Sequence, residues 1–104
     1  MRGANPVRGE AAFAVGGAPI LLRPSVAALV AAEAELGPLF ALVERAAEGR
    51  LGIGEMASLF FHCAVDRPEG VTRERIGQAI AEGGLAKATP ALRVLLTEIL
   101  QGRV

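Results

Sequence analysis

Residues 10–25 read Glu-Ala-Ala-Phe-Ala-Val-Gly-Gly-Ala-Pro-Ile-Leu-Leu-Arg-Pro-Ser. Two short apolar runs flank Gly16-Gly17, a two-residue turn of the kind tight hairpins favour, because both positions accept positive φ. Phe13 and Val15 fall on one face of a strand over 10–15, and Ile20 and Leu22 on one face of a return strand over 18–23. Pro19 lacks an amide hydrogen and so belongs near a strand start or on an edge. Ser25 is a good helix N-cap, and beyond it the apolar period changes from two to 3.6 residues. That change predicts an α+β, mainly α fold: an N-terminal β-hairpin followed by about five short amphipathic helices in a small bundle. The expected layout is a single domain over 1–104, with a loose terminus at 1–7, the hairpin at 8–23 and the helical part at 25–102.

The first helix is expected from Ser25 to Leu36, with Val26, Leu29, Val30 and Leu36 as its apolar face and Gly37 as the stop. A second runs from Pro38 to about Glu48, on Leu39, Leu42, Val43 and Ala46. The link at 50–54 places Leu51 and Ile53 inward. A third helix covers about Glu55 to Val65, with Met56, Leu59, Phe60 and Cys63 in its stripe and Phe61 widening it. A fourth starts after the Thr72 cap, where Val71 and Ile76 stand in hydrophobic-staple positions, and ends at Gly83-Gly84. The fifth spans Leu85 to Leu100, with Thr89-Pro90 as its true start or a bend, Gly102 as its stop, and a strong stripe of Leu92, Leu95, Leu96, Ile99 and Leu100.

The chain has 104 residues and is 52% hydrophobic, enough for a core, but only 4% aromatic, so aliphatic and small side chains must build it. Modest monomer stability and association with further copies or a partner follow. Eleven basic and eleven acidic residues give zero net charge, balanced in each half. Attraction to nucleic acid or an anionic membrane has little to rest on. The apolar run at 11–32 follows two arginines as a signal peptide would. Glu10, Gly16-Gly17, Pro19, Arg23 and Pro24 break it into two short elements.

Catalytic patterns are missing. His62 and Cys63 are the only residues of their kinds, and as helix neighbours their side chains diverge by about 100°. Cys63 reads as a small core residue and His62 as a boundary one. Among the glycines there is no dinucleotide fingerprint or P-loop, and no catalytic or metal motif accompanies them. The expectation is therefore no enzyme, no cofactor and no metal. Glu33 lies near the apolar face of the first helix, where it reads as a boundary carboxylate for an arginine such as Arg23, or as a partner contact. Helices four and five can also be read as a helix-turn-helix, with Arg73, Arg75, Lys87 and Arg93 on phosphate. Glu74 and Glu82 offset these charges, and the fifth helix is too apolar for a recognition helix.

Leu22-Arg23-Pro24-Ser25 leads into Ala28-Leu29, Glu33-Ala34-Glu35-Leu36-Gly37, Leu42-Val43-Glu44-Arg45, Glu48-Gly49-Arg50 and Glu55-Met56-Ala57-Ser58-Leu59, and Glu82-Gly83-Gly84-Leu85 opens the Leu-rich last helix. This order of pieces resembles the tail proteins of gene transfer agents and related tailed phages, labelled tail tube proteins or tail assembly chaperones. The resemblance implies a non-enzymatic role in building a phage-like tail. The partners it implies are the tape measure and tail tube proteins. It places the chain in the bacterial cytoplasm during assembly, or in the tail of the particle. The candidate interaction residues are Glu33, Phe61, Leu92, Leu95, Leu96 and Ile99. The fifth-helix stripe is favoured as core, and Phe61 is the phenylalanine least needed inside. The hairpin edge is a second route, by strand addition between subunits.

Overall fold

The structure is a computed structural model, and it describes residues 10–67 and 69–101. The expected loose terminus at 1–7, the first two residues of the expected hairpin and the Gly102 stop lie outside the described residues. Strands β1 (Ala11–Val15) and β2 (Ala18–Leu22) pair antiparallel, with Phe13 opposite Ile20 and Ala14 opposite Pro19. Gly16 and Gly17 close the turn at φ 59° and 82°, the left-handed pair that matches the twist of the strands. Ala11, Phe13, Val15, Ile20 and Leu22 are buried on one side of the ribbon. The other side keeps Ala12, Ala14 and Pro19 exposed.

Five helices follow: α1 (Val26–Leu36), α2 (Leu39–Ala47), α3 (Ile53–Cys63), α4 (Arg73–Gly83) and α5 (Leu85–Gln101). Three of their starts, those of α1, α3 and α4, rest on identifiable capping contacts. Ser25 Oγ accepts the Ala28 amide at 3.2 Å, and Thr72 Oγ1 accepts that of Arg75 at 3.2 Å. Helix α3 begins two residues earlier than its apolar period suggests, because Glu55 is its third residue. Its carboxylate reaches back to the Gly52 amide at 3.0 Å. Ile53 is thereby turned outward, 39% exposed, contrary to the inward position expected of it. Helix α5 runs unbroken from Leu85 through Pro90, so Thr89 is not its cap. Pro90 sits in the second turn, and the neighbouring Thr89 hydroxyl donates to the Leu85 carbonyl at 2.8 Å.

The fully buried Leu22, Leu42, Leu59, Phe60, Ile76, Ile80 and Leu95 come from β2 and from α2 to α5, and they share one core. Phe13 meets Phe60 edge to face with ring centroids 5.3 Å apart, which locks the hairpin onto α3. The segment after α3 also clasps the hairpin. Arg23 N donates to Cys63 O at 2.7 Å and Val65 N to Leu21 O at 2.8 Å, so residues 63–65 cover the outer edge of β2. Arg23 Nε binds Glu10, a buried carboxylate, at 2.8 Å; Arg23 is thus not the partner of Glu33.

Helix α1 departs furthest from its expected orientation. Ala28 and Ala32 are its buried residues, with Leu29 and Leu36 partly buried beside them. Val26 and Val30, expected inside, are 80% and 62% exposed. Its first seven residues, 26–32, are all apolar and carry no directional signal, and small side chains allow the closest approach to α3.

Candidate interaction surfaces

Glu35, at the end of α1, is the centre of a polar cluster that joins three helices. Its Oε1 lies 2.7 Å from His62 Nε2, and its Oε2 accepts Ser58 Oγ at 3.0 Å and Arg73 Nη1. The hydrogen bond to His62 is the largest influence holding the Glu35 carboxyl below its ordinary range. Ser58 and the Arg73 charge add to it, against a smaller opposing effect of burial. Phe61 lies beside this cluster, with the guanidinium carbons of Arg67 and Arg73 at 4.3 and 5.0 Å from its ring centroid. Asp66 adopts a left-handed φ of 47°, and Arg67 next to it donates to the Phe61 carbonyl at 3.0 Å. Phe61 is therefore a half-buried platform covered by two cations.

A second region is apolar. The outward face of α1 consists of Val26, Ala27, Val30, Ala31 and Ala34, all exposed. The chain bends by 76° between α1 and α2, and Phe40, near the start of α2, is 65% exposed. A groove of about 290 Å³ lies between α2 and α5, with Val43, Ala46, Leu92, Arg93, Leu96 and Leu100 among its walls. Among the described residues, no single helix is long and apolar enough to cross a membrane.

A family model described as "Phage tail tube protein, GTA-gp10" matches residues 8–102, which takes in both strands and all five helices. The chain belongs to this phage tail family. No curated protein and no solved structure matches it.

In this tail-family chain the six residues singled out from sequence lie in different settings. Leu95 is in the core. Ile99 packs partly against the core, and Leu92 and Leu96 do so while also walling the α2–α5 groove. Phe61 is half-buried beside Arg67 and Arg73. Glu33 is exposed and accepts the Leu39 amide at 3.2 Å, so its carboxylate serves the start of α2, where Pro38 supplies no side-chain cap. Sequence reasoning passed over Glu35 and Phe40. For Glu35 no signal was available, because its partners come from positions 58, 62 and 73. For Phe40 the signal was its place one residue off the Leu39-Leu42-Val43-Ala46 stripe.

His62 and Cys63 diverge as helix neighbours must. The imidazole is held by Glu35, while the Cys63 thiol is buried in the core, where burial pushes its pKa up to about 12.

Proposed function

We propose that this chain is a non-enzymatic tail assembly chaperone or tail tube-associated component, working through contacts with the tape measure and tail tube proteins in the bacterial cytoplasm. The observation that carries the reading is the bare apolar face of α1, with Val26 and Val30 one helical turn apart and Phe40 exposed on the next helix. Ala27, Ala31 and Ala34 on the same exposed face let a second helix approach closely, and a tape measure protein is a long helical client. The α2–α5 groove adds a second apolar surface, to which Arg93 contributes a polar margin.

The test is co-expression with the tape measure and tail tube proteins encoded beside this gene, followed by co-purification. The wild-type chain is expected to bring down at least one of them, and Val30→Asp combined with Phe40→Asp to lose it while melting at the wild-type temperature. Absence of any complex with either protein overturns the reading. Presence or absence of the chain in purified particles separates a tube-associated component from a transient chaperone. The helix-turn-helix alternative is weakened because Arg73, one of its phosphate contacts, is held by Glu35 and Phe61. A DNA titration with a steep salt dependence would revive it.

A further inference from the structure

The two edges of the hairpin are not equivalent. In a hairpin closed by a two-residue turn, Val15 and Ala18 form the hydrogen-bonded pair next to the turn, and bonding alternates from there. Phe13–Ile20 and Ala11–Leu22 are then bonded pairs, whereas Ala14–Pro19 and Ala12–Leu21 are not. The backbone groups of Ala12 and Ala14 on β1, and of Pro19 and Leu21 on β2, therefore point away from the partner strand. On the β2 side this edge is closed: Pro19 has no N–H to offer, and Leu21 O is taken by Val65 N. On the β1 side, the N–H and C=O of Ala12 and Ala14 meet no backbone partner among the described residues.

That open edge faces a slot. A groove of about 340 Å³ is lined by Ala12, Phe13 and Ala14 on one wall and by Ala79, Gly83 and Lys87 of α4 and α5 on the other. Toward the turn, a further cavity of about 160 Å³ is lined by Val15, Gly16, Arg75, Gln78, Ala79 and Glu82. The far wall is low because Ala79 has only a methyl group and Gly83 none, so there is room for another side chain against it. Only an extended backbone presents N–H and C=O groups at the repeat of about 6.8 Å that Ala12 and Ala14 set.

We propose that the outer edge of β1 receives one extended segment of a partner protein, which adds as a third strand beside β1, along the groove that β1 shares with α4 and α5. The segment bonds through its main chain to Ala12 and Ala14. Its alternate side chains that face Ala79 and Gly83 are apolar, and the others face solvent. A whole second hairpin is a poorer fit, because it would bring its own α4 against this one. The proposal takes the source of the segment from the tail-protein reading above. The slot and the open backbone groups stand without it.

The test uses the full chain, ¹⁵N-labelled. Amide exchange of the free protein is expected to be fast at Ala12 and Ala14 and slow at Phe13 and Val15. Two probes are then titrated: overlapping twelve-residue peptides covering the tail tube and tape measure proteins, and an alternating Thr-Val peptide with lysine ends. Binding is expected to slow exchange at Ala12 and Ala14 at least tenfold and to shift Ala79, Gly83 and Lys87. Ala14→Pro removes one outward N–H while sparing the bonded pairs. Gly83→Leu fills the slot at a position where the only neighbour of a new Cβ is the flexible Lys87 side chain, 3.5 Å away. Each is expected to weaken binding at least tenfold, and Ala14→Thr to retain it. Binding of the alternating peptide but of no tail peptide leaves the slot assigned and removes the tail reading. Slow exchange at Ala12 and Ala14 in the free chain overturns the proposal. So does failure of both probes to bind, binding that leaves those amides unchanged, or protection that rises with the protein's own concentration as it dimerises.

Discussion

The imidazole Nε2 of His62 lies 2.7 Å from the carboxylate Oε1 of Glu35, across 27 positions of chain, and this contact ties the end of α1 to the last turn of α3. Arg73, the first residue of α4, completes the join on the other carboxylate oxygen. One surface carboxylate thus bridges the three helices that carry the exposed apolar face, the hairpin clasp and the wall of the β1 slot.

This arrangement makes stability fall in acid. Glu35 is held below its ordinary pKa first by the His62 hydrogen bond, and Glu55 first by the Gly52 amide, with Arg45 assisting. A carboxylate with a lowered folded-state pKa contributes stability that is complete above its ordinary value and is lost as pH falls through the lowered one. The melting temperature is expected to hold from neutral pH down to about 5 and to drop below about 4. Glu35→Gln should shrink that drop and leave the Glu55 part in place. Circular dichroism melts across the pH series check this, and identical acid profiles for the two proteins would sink it.

Cys63 is expected to resist thiol reagents in the folded protein. Burial both shields the sulfur and pushes its pKa to about 12, so little thiolate exists at pH 8. Labelling with a disulfide reagent should be slow in buffer and fast in denaturant. Native labelling at the rate of free cysteine would contradict the packing.

Phe60 and Phe40 should separate stability from binding. Phe60 is fully buried against Phe13, and Phe60→Ala is expected to cost about 3–5 kcal/mol. Phe40 is largely exposed, and Phe40→Ser should change stability by no more than about 0.5 kcal/mol. Urea unfolding measures both. A large loss at Phe40 would mean that its ring is packed, and the α1–α2 surface would then need a different boundary.

The sequence made the hairpin and the helix starts legible because their signals are local. Gly16-Gly17 selects the turn, strict alternation selects the buried face of β1, and Ser25 and Thr72 sit next to the amides they cap. What stayed hidden was settled by distant residues. Whether α1 buries its valines or its alanines is decided by α3, because residues 26–32 are apolar on every side. The choice of Glu10 over Glu33 as the Arg23 partner is decided by the strand that brings residue 10 alongside residue 23. The same holds for the surfaces. A stripe shows which residues can be buried, while exposure at Phe40 and cover at Phe61 depend on neighbours that no local window contains.

Two glycines should respond to alanine with opposite sign. Gly17 holds φ at 82° in the hairpin turn, a conformation that a side chain penalises by about 1–2 kcal/mol even though nothing crowds the new Cβ. Gly77 lies within α4 in ordinary helical backbone, and a Cβ there would sit 3.6 Å from the Cβ of Ala57 on α3, an unstrained contact. Alanine at 77 removes the entropy penalty of a glycine in a helix and adds apolar contact, a gain of about 0.5–1 kcal/mol. In a chain of this size each kcal/mol moves the melting temperature by about 4–8 °C. Gly77→Ala is therefore expected to melt a few degrees above wild type and Gly17→Ala several degrees below it. A lower melting temperature for Gly77→Ala would show that α3 and α4 pack too closely there to admit a methyl group.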